Sequence, residues 1–226
     1  TQNNDAENNN TAIGALAGLS ITTAIEDTLI GALAGDALTT GKENVAVGYR
    51  SLSGDTQGKR SIAIGKDALR VQNHTTATET YNVAVGHAAG EAVTTGVQNI
   101  IIGGLAGDAL TTANNSVAIG YAALSSNTGN AGNTAVGMTA LQNFNVATGS
   151  AYNTAVGAAA GGAVTTGTFN TLVGGLAGDA LTDADYNVAS GYQALTSDTL
   201  GSLSVAIGGF ALSAQNFTTA ANSFNV

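Results

Sequence analysis

The chain has 226 residues, with 31 Gly and no Pro, Cys or Trp, and charged residues make up only 9% of it. The lack of cysteine excludes a disulfide scaffold, and aromatic residues, at 5%, are too few to fill an ordinary globular core. A net charge of −9 argues against binding to nucleic acid, because that partner attracts basic patches. No apolar run approaches the roughly 18 residues of a spanning helix, so no membrane insertion is predicted within this segment.

A short phrase recurs twelve times along the chain: a small polar residue, a β-branched residue, usually Ala, then Ile or Val, and Gly. The residues that open the copies are Asn10, Asp27, Asn44, Ser61, Asn82, Asn99, Ser116, Asn133, Asn153, Asn170, Asn187 and Ser204. Asn225 opens a thirteenth copy. The spacing is 17 residues, except for 20 or 21 after every fourth copy. Such a period predicts units that stack on one another, because each is too small to bury its own apolar side.

The copies fall into sets of four. In each set the first two copies close with Ala-Gly and the next two close with Leu, as in Gly18, Gly35, Leu52 and Leu69. This second level predicts a single repeat array over 1–226, made of super-repeats at 10–81, 82–152 and 153–224. We expect the array to be excised from, or to continue into, a longer fibre.

Each copy is predicted to be a strand. In Asn44-Val45-Ala46-Val47-Gly48 the side chains alternate between two faces, and the residue between the β-branched positions is Ala in 9 of 12 copies. We expect the Val/Ile side to fill the inside of the coil and the Ala side to pack against another copy of the chain. Under this hypothesis, Ala135→Glu would separate the copies.

A 17-residue unit with two extended stretches and two turns is one coil of a parallel β-solenoid. We therefore predict an all-β solenoid of about 12 coils of 17 residues, in three four-coil super-repeats, with identical residues stacked in ladders. The recurrent Gly at the coil corner is expected to have positive φ or to allow close approach between layers. These structural repeat residues are Gly48, Gly65, Gly86, Gly103, Gly120, Gly137, Gly157, Gly174, Gly191 and Gly208.

The phrases Asn82-Val83-Ala84-Val85-Gly86, Ser116-Val117-Ala118-Ile119-Gly120 and Ser204-Val205-Ala206-Ile207-Gly208 resemble the head repeats of YadA-like trimeric autotransporter adhesins. Similar repeats occur in bacteriophage tail fibres. The resemblance covers residues 10–212 and implies a left-handed parallel β-roll, associated side by side as a homotrimer. It also implies an extracellular location, on a virion tail fibre or a bacterial outer surface. The units are longer than the usual head repeat, and neither stalk heptads nor an anchor domain are seen.

The junctions between sets predict a contact surface. The stretches 72–81, 142–152 and 215–224 contain the three or four extra residues, and insertions in a solenoid protrude. The Gln-Asn pair in each stretch aligns His74 with Phe144 and Phe217. The candidate surface-contact residues are His74, Tyr81, Phe144, Tyr152, Phe217 and Phe224. The alternative is that these side chains cover coil edges or pack between chains.

Catalysis and cofactor binding find no support in the sequence. His74 and His87 have no recurrent partners, and no Ser/His/Asp set recurs at matching coil positions. The Asp at 36, 108 and 179 is interpreted as a turn residue, with a weak cation site as the alternative, so no metal is predicted.

We expect a non-enzymatic structural or adhesive fibre segment that mediates attachment to a host or cell surface. Its partners would be copies of itself and a cell-surface glycan or protein receptor. Two alternatives remain. One is a monomeric solenoid that binds ice, mineral or glycan, for which the recurrent Thr ladder is the candidate ice surface. The other is a polysaccharide-processing tailspike.

Overall fold

The structure, a computed structural model, describes residues 8–146 and 149–226, and within these ranges it consists of short strands and turns without a helix. Its contacts divide the chain into two compact units, Thr1–Asn114 and Asn115–Val226.

The described part of the first unit, from residue 8 onward, has eight strands. They are β1 (Thr11–Ile13), β2 (Thr28–Ile30), β3 (Val45–Val47), β4 (Gly58–Lys59), β5 (Ile62–Ile64), β6 (Thr78–Glu79), β7 (Val83–Val85) and β8 (Ile100–Ile102). The six three-residue strands pair in parallel in chain order, and β4 pairs with β6. Equivalent residues are in register, so that Val45 lies beside Ile62 and Val47 beside Ile64.

The second unit is built in the same way. Its strands are β9 (Val117–Ile119), β10 (Thr134–Val136), β11 (Thr154–Val156), β12 (Thr171–Val173), β13 (Val188–Ser190), β14 (Gly201–Ser202), β15 (Val205–Ile207) and β16 (Ala221–Asn222). The six three-residue strands again pair in parallel in chain order, and β14 pairs with β16. With six coils in each unit, the prediction of a parallel β-solenoid of about 12 coils is confirmed.

The strands face the opposite way from our expectation. In every three-residue strand except β1 the middle residue is buried, whereas the Val and Ile residues on either side point outward. In β5, Ala63 is 0% exposed and Ile64 is 38% exposed. Ala135 is likewise fully buried, so Ala135→Glu would place a carboxylate inside the coil instead of between copies. The assignment of the Val/Ile side to the inside was wrong.

The physical reason is that the coil is narrow. The middle strand residue shares the interior with the residue that closes the phrase, and the two differ in size. Leu172 lies beside Gly178, where an added methyl carbon would be 2.8 Å from a Leu172 methyl group. In coils that close with a buried Leu, such as Leu195, the middle residue is Ala189. Only one of the two positions can hold a large side chain, so small residues face inward.

The opening residues form a buried hydrogen-bonded column. The Oδ1 atom of Asn44 accepts the main-chain N–H of Ser61 at 2.9 Å, and its Nδ2 donates to the Gly58 carbonyl at 3.0 Å. Asn153 repeats both bonds in the second unit, to the N–H of Asn170 and the carbonyl of Gly167. The amide therefore satisfies one donor and one acceptor of the main chain inside the solenoid, where water cannot.

The corner glycines combine positive φ with close approach. Gly48 has φ +133°, and a methyl carbon added there would lie 2.5 Å from the carbonyl oxygen of Gly65 in the next coil. No side chain fits this space. The ladder of corner glycines thus sets how closely successive coils can stack.

Candidate functional surface

Each unit presents an uncharged, largely apolar sheet face, which we call the outward face. It consists of the first and third residues of every three-residue strand, and these are Val, Ile or Thr except at Ser190. The most exposed Val and Ile residues on this face are Ile13, Ile64, Ile100, Ile102, Val156, Val173 and Ile207. In a soluble protein a continuous apolar face of this kind marks an interaction surface.

A row of exposed aromatic side chains borders the outward face in the second unit. Tyr152, Phe169 and Tyr186, which we call the aromatic row, each immediately precede the residue that opens a coil. The Tyr152 and Phe169 ring centroids are 5.9 Å apart, and those of Phe169 and Tyr186 are 4.9 Å apart with nearly parallel planes. Exposed fractions of 59%, 41% and 54% leave much of each ring open to a partner.

The aromatic row depends on an uncommon backbone conformation. Its residues have φ values of 49°, 58° and 57°, in the left-handed region that bulky residues rarely adopt. The residue at the same coil position in the first unit also has positive φ, as at Glu43 and Arg60. The conformation is therefore a property of the coil, and it turns this side chain outward whatever its chemistry.

Two of the predicted surface-contact residues lie in the interior. Phe144 is 0% exposed and His74 is 6% exposed, so the prediction of surface contact is wrong for both. Phe144 comes eleven positions after the opening residue of its coil, the inward position that Gln72 and Gln215 occupy in the other junctions. The shared Gln-Asn pair had aligned Phe144 with His74 and Phe217. Those two residues come thirteen positions after the opening residues of their own coils.

The other four predicted contact residues do not converge on one site. Tyr81, Tyr152 and Phe224 are exposed, and Phe217 is half-buried with its ring over Gly201. The hydroxyl of Tyr81 accepts a hydrogen bond from Arg60 at 2.7 Å, while 46% of the residue stays exposed. Tyr152 belongs to the aromatic row.

Positive charge is confined to a short stretch of the chain. All six Lys and Arg residues lie between positions 42 and 70. Several of them join neighbouring coils around the first junction: Arg60 pairs with Glu43 and Glu79, and Arg70 with Glu91. Hydrogen bonding to Arg60 lowers the pKa of Glu43, and hydrogen bonding to Tyr81 lowers that of Glu79. Arg50, Arg60 and Arg70, half of the six cations, form ion pairs between coils.

The interior of the first junction holds a polar network. The Asp55 carboxylate accepts hydrogen bonds from Gln72 and from the main-chain N–H of His74, and Gln72 also reaches Ser61 and Asn82. Burial lowers the pKa of His74, with the Asp55 charge opposing this effect. The network lies inside the coil, where no substrate can enter, and its bonds tie the longer junction coil to its neighbours.

The Thr ladder is occupied by bonds between coils. The hydroxyl of Thr39 donates to the carbonyl of Thr56 at 3.0 Å, and that of Thr182 donates to the carbonyl of Thr199 at the same distance. These hydroxyl hydrogens are therefore not available to order water at an ice surface.

In the described ranges, no three His, Cys, Asp or Glu side chains come together as a possible metal site. Across the same residues, no helix has the length and apolarity needed to cross a membrane.

Sequence reasoning missed two members of the aromatic row, Phe169 and Tyr186. Their signal was present, because Tyr81, Tyr152 and Phe224 also stand directly before an opening residue. Comparison of the chain with protein-family models, curated proteins and solved structures found no match.

Proposed function

We propose that this chain is a non-enzymatic structural and adhesive fibre segment that assembles as a side-by-side homotrimer of left-handed β-rolls. The observation that carries the proposal is the outward face, which has no charged residue in any of its strands and exposes Ile and Val side chains. Covering such a face removes apolar surface from water, at about 25 cal/mol for each Å² buried. A second flat face of the same kind is the simplest cover.

Three copies, and the left-handed coil, follow from the resemblance of the repeats to YadA-like head repeats. The same resemblance supports an extracellular location on a virion tail fibre or a bacterial outer surface. The inward placement of Ala and the outward placement of Val and Ile suit a trimer, because apolar side chains then meet around a common axis.

The four-coil super-repeat has a physical rationale within this proposal. The second coil of each set carries Leu29, Ile101 or Leu172 at the middle strand position, and each lies beside glycines that close the phrase. The third and fourth coils carry Ala there and close with Leu. The super-repeats 10–81, 82–152 and 153–224 would thus be units of interior packing as well as of sequence.

We assign receptor contact to the aromatic row and to the exposed Tyr81 and Phe224. Exposed rings can contact a cell-surface glycan or a protein through apolar and hydroxyl groups together. Replacing Phe169 and Tyr186 by Ser should abolish retention on receptor-bearing cells while leaving the assembly intact. Unchanged retention would remove the aromatic row as the contact site.

Strand β8 offers the sharpest test of assembly, because it consists of three isoleucines. Ile100 and Ile102 lie on the outward face and Ile101 points into the coil. Ile100 and Ile102 are 42% and 38% exposed, and Ile101 is fully buried. We expect Ile100→Glu/Ile102→Glu to give a folded monomer by light scattering, and Ile101→Glu to prevent folding. The charge control is Thr95→Glu/Thr112→Glu, at exposed positions away from the strand, which should remain trimeric.

Either of two results would contradict the assembly proposal. A wild-type chain that is monomeric at micromolar concentration excludes the homotrimer and favours the monomeric surface-binding solenoid. A double Ile variant that stays trimeric shows that the copies meet elsewhere.

A further inference from the structure

One residue in the buried column of opening residues is a carboxylic acid. Asp27 stands where the other copies have Asn or Ser, and it is 0% exposed. Its main-chain N–H donates to Oδ1 of Asn10 at 2.8 Å, and its own Oδ1 accepts the N–H of Asn44 at 2.9 Å. Its second oxygen, Oδ2, is buried without a hydrogen-bond partner.

The column shows what the second side-chain atom normally does. The Nδ2 atom of Asn44 donates to the carbonyl fourteen residues later, that of Gly58, and Asn10 and Asn187 do the same with Ala24 and Gly201. The equivalent carbonyl for Asp27 is that of Gly41. An ionised Asp27 would set Oδ2, an acceptor, in the place of a donor, whereas a protonated Oδ2 would supply the missing O–H.

We propose that Asp27 is a neutral carboxylic acid in the folded protein, that its Oδ2–H replaces the Asn Nδ2–H toward the Gly41 carbonyl, and that loss of this proton loosens the coil between β1 and β3. The coil is therefore a pH-sensitive element inside the solenoid. It acts without any ligand and is independent of the assembly proposed above.

The surroundings of Asp27 support this assignment. Asn10 and Asn44, which lie above and below it, are neutral amides, and the charges that act on it belong to Glu26 and Glu43. Burial raises the pKa of Asp27 from 3.8 to about 7, the two carboxylates add to the rise, and hydrogen bonds from Asn44 oppose it.

The sign of the pH effect follows from the two protonation states. Because the folded-state pKa lies above the unfolded value, the folded protein keeps a proton that the unfolded chain releases. The contribution to stability is complete below pH 3.8, falls as the pH rises, and is lost above about 7.

The test compares Asp27→Asn with the wild type by urea unfolding near pH 4 and near pH 8. Circular dichroism monitors the unfolding. Asn supplies the donor at every pH. We expect the unfolding constant of the wild type, divided by that of the variant, to rise by up to about tenfold for each pH unit in this window. With 13C-labelled Asp, one carboxyl resonance should titrate near pH 7 and be missing from the variant.

Asp55→Asn is the matched control. Asp55 is also fully buried, but both of its oxygens accept hydrogen bonds, from Gly58, His74 and Gln72. The substitution Asp55→Asn should destabilise the folded protein, because the new amide N–H donor would face the hydrogen-bond donors that now bind the Asp55 carboxyl group. The proposal is overturned if the ratio for Asp27→Asn does not change with pH, or if every carboxyl resonance titrates below about pH 5.

Discussion

Gln72 donates a hydrogen bond of 2.6 Å from its Nε2 atom to Oδ2 of Asp55, which lies 17 positions earlier and is fully buried. Gln215 and Asp198 repeat the pair at 2.5 Å in the second unit. At the second junction the corresponding residues are Phe144 and Asn127, so the carboxylate and its amide partner are replaced together. At this coil position a buried carboxyl group occurs together with its glutamine donor or not at all.

The first prediction concerns this pair. Gln72→Leu should lower the free energy of unfolding by about 2–3 kcal/mol, because the buried Asp55 carboxylate loses its side-chain donor. The double variant Asp55→Asn/Gln72→Phe, which reproduces the Asn127–Phe144 pair, should be more stable than Gln72→Leu. Urea unfolding of the single and double variants measures the coupling. Strictly additive effects would show that the two side chains act separately.

The second prediction separates backbone strain from steric clash at the corner glycines. Gly48→Ala should destabilise by about 3 kcal/mol or more, because φ is positive and the added carbon meets the Gly65 carbonyl. Gly208 has φ +118° but nothing within 4 Å of an added carbon. Gly208→Ala should therefore lose only about 1–2 kcal/mol in thermal unfolding. Equal losses would mean that contact between coils does not limit this position.

The third prediction concerns interior size. Leu172→Ala leaves a cavity beside Gly178 and should lower the free energy of unfolding by about 2–5 kcal/mol. Gly178→Leu in the same chain should recover part of it, because Ala189 and Leu195 show the reverse arrangement in the next coil. The new side chain must also fit beside a Leu181 methyl group, which lies 2.8 Å from a carbon added at Gly178. The backbone allows the substitution, because φ is 56° at Gly178 and 57° at Leu195. If the double variant is no more stable than Leu172→Ala, positions 172 and 178 cannot exchange large and small side chains, and the prediction is refuted.

The fourth prediction concerns acid and salt. The pKa of Glu43 is lowered by its hydrogen bond to Arg60, so the stability it contributes is present above its usual pKa of 4.5 and is lost as the pH falls further. Glu43→Gln should lower the melting temperature slightly at neutral pH and not at all in strong acid. High salt should shrink the difference, because the Arg60 and Glu43 side chains are 34% and 33% exposed and salt screens their attraction. A difference that persists in acid would point to packing instead of charge.

Glu43 and Asp27 thus respond to pH in opposite directions, although Glu43 ends the coil that Asp27 opens. Acid removes the ion pair of Glu43 and favours the protonated form of Asp27. Titration of the two single variants and of the pair, followed by melting temperature, should resolve both contributions in the same chain.

The period of the sequence was sufficient to predict the solenoid, its coil length and its parallel register. Identical phrases 17 residues apart can stack only in register, and β-branched residues with Gly exclude a helical unit. The direction of the strand faces was not predictable in this way. Val45-Ala46-Val47 is apolar on both sides, so alternation alone does not tell which side is inside. Side-chain volume decides, and it becomes visible only when the closing Gly or Leu is set opposite the strand.

The junctions misled for a related reason. Local identity of the Gln-Asn pair aligned Phe144 with His74. In the structure, the place of a side chain depends on its distance along the chain from the opening residue of its coil, and this distance differs between the two residues. The left-handed conformation before each opening residue was also hidden, because Phe169 and Tyr186 carry no sign of positive φ. It follows from how the turn closes onto the next coil, which no local propensity describes.

The main-chain hydrogen bonds that join one coil to the next connect residues only 15 to 22 positions apart. A sheet protein usually has to bring distant segments together before any pairing forms, and it folds slowly as a result. This chain needs no such search. A polypeptide that emerges from one end can form its coils in chain order. Each completed coil then serves as the template on which the next one pairs.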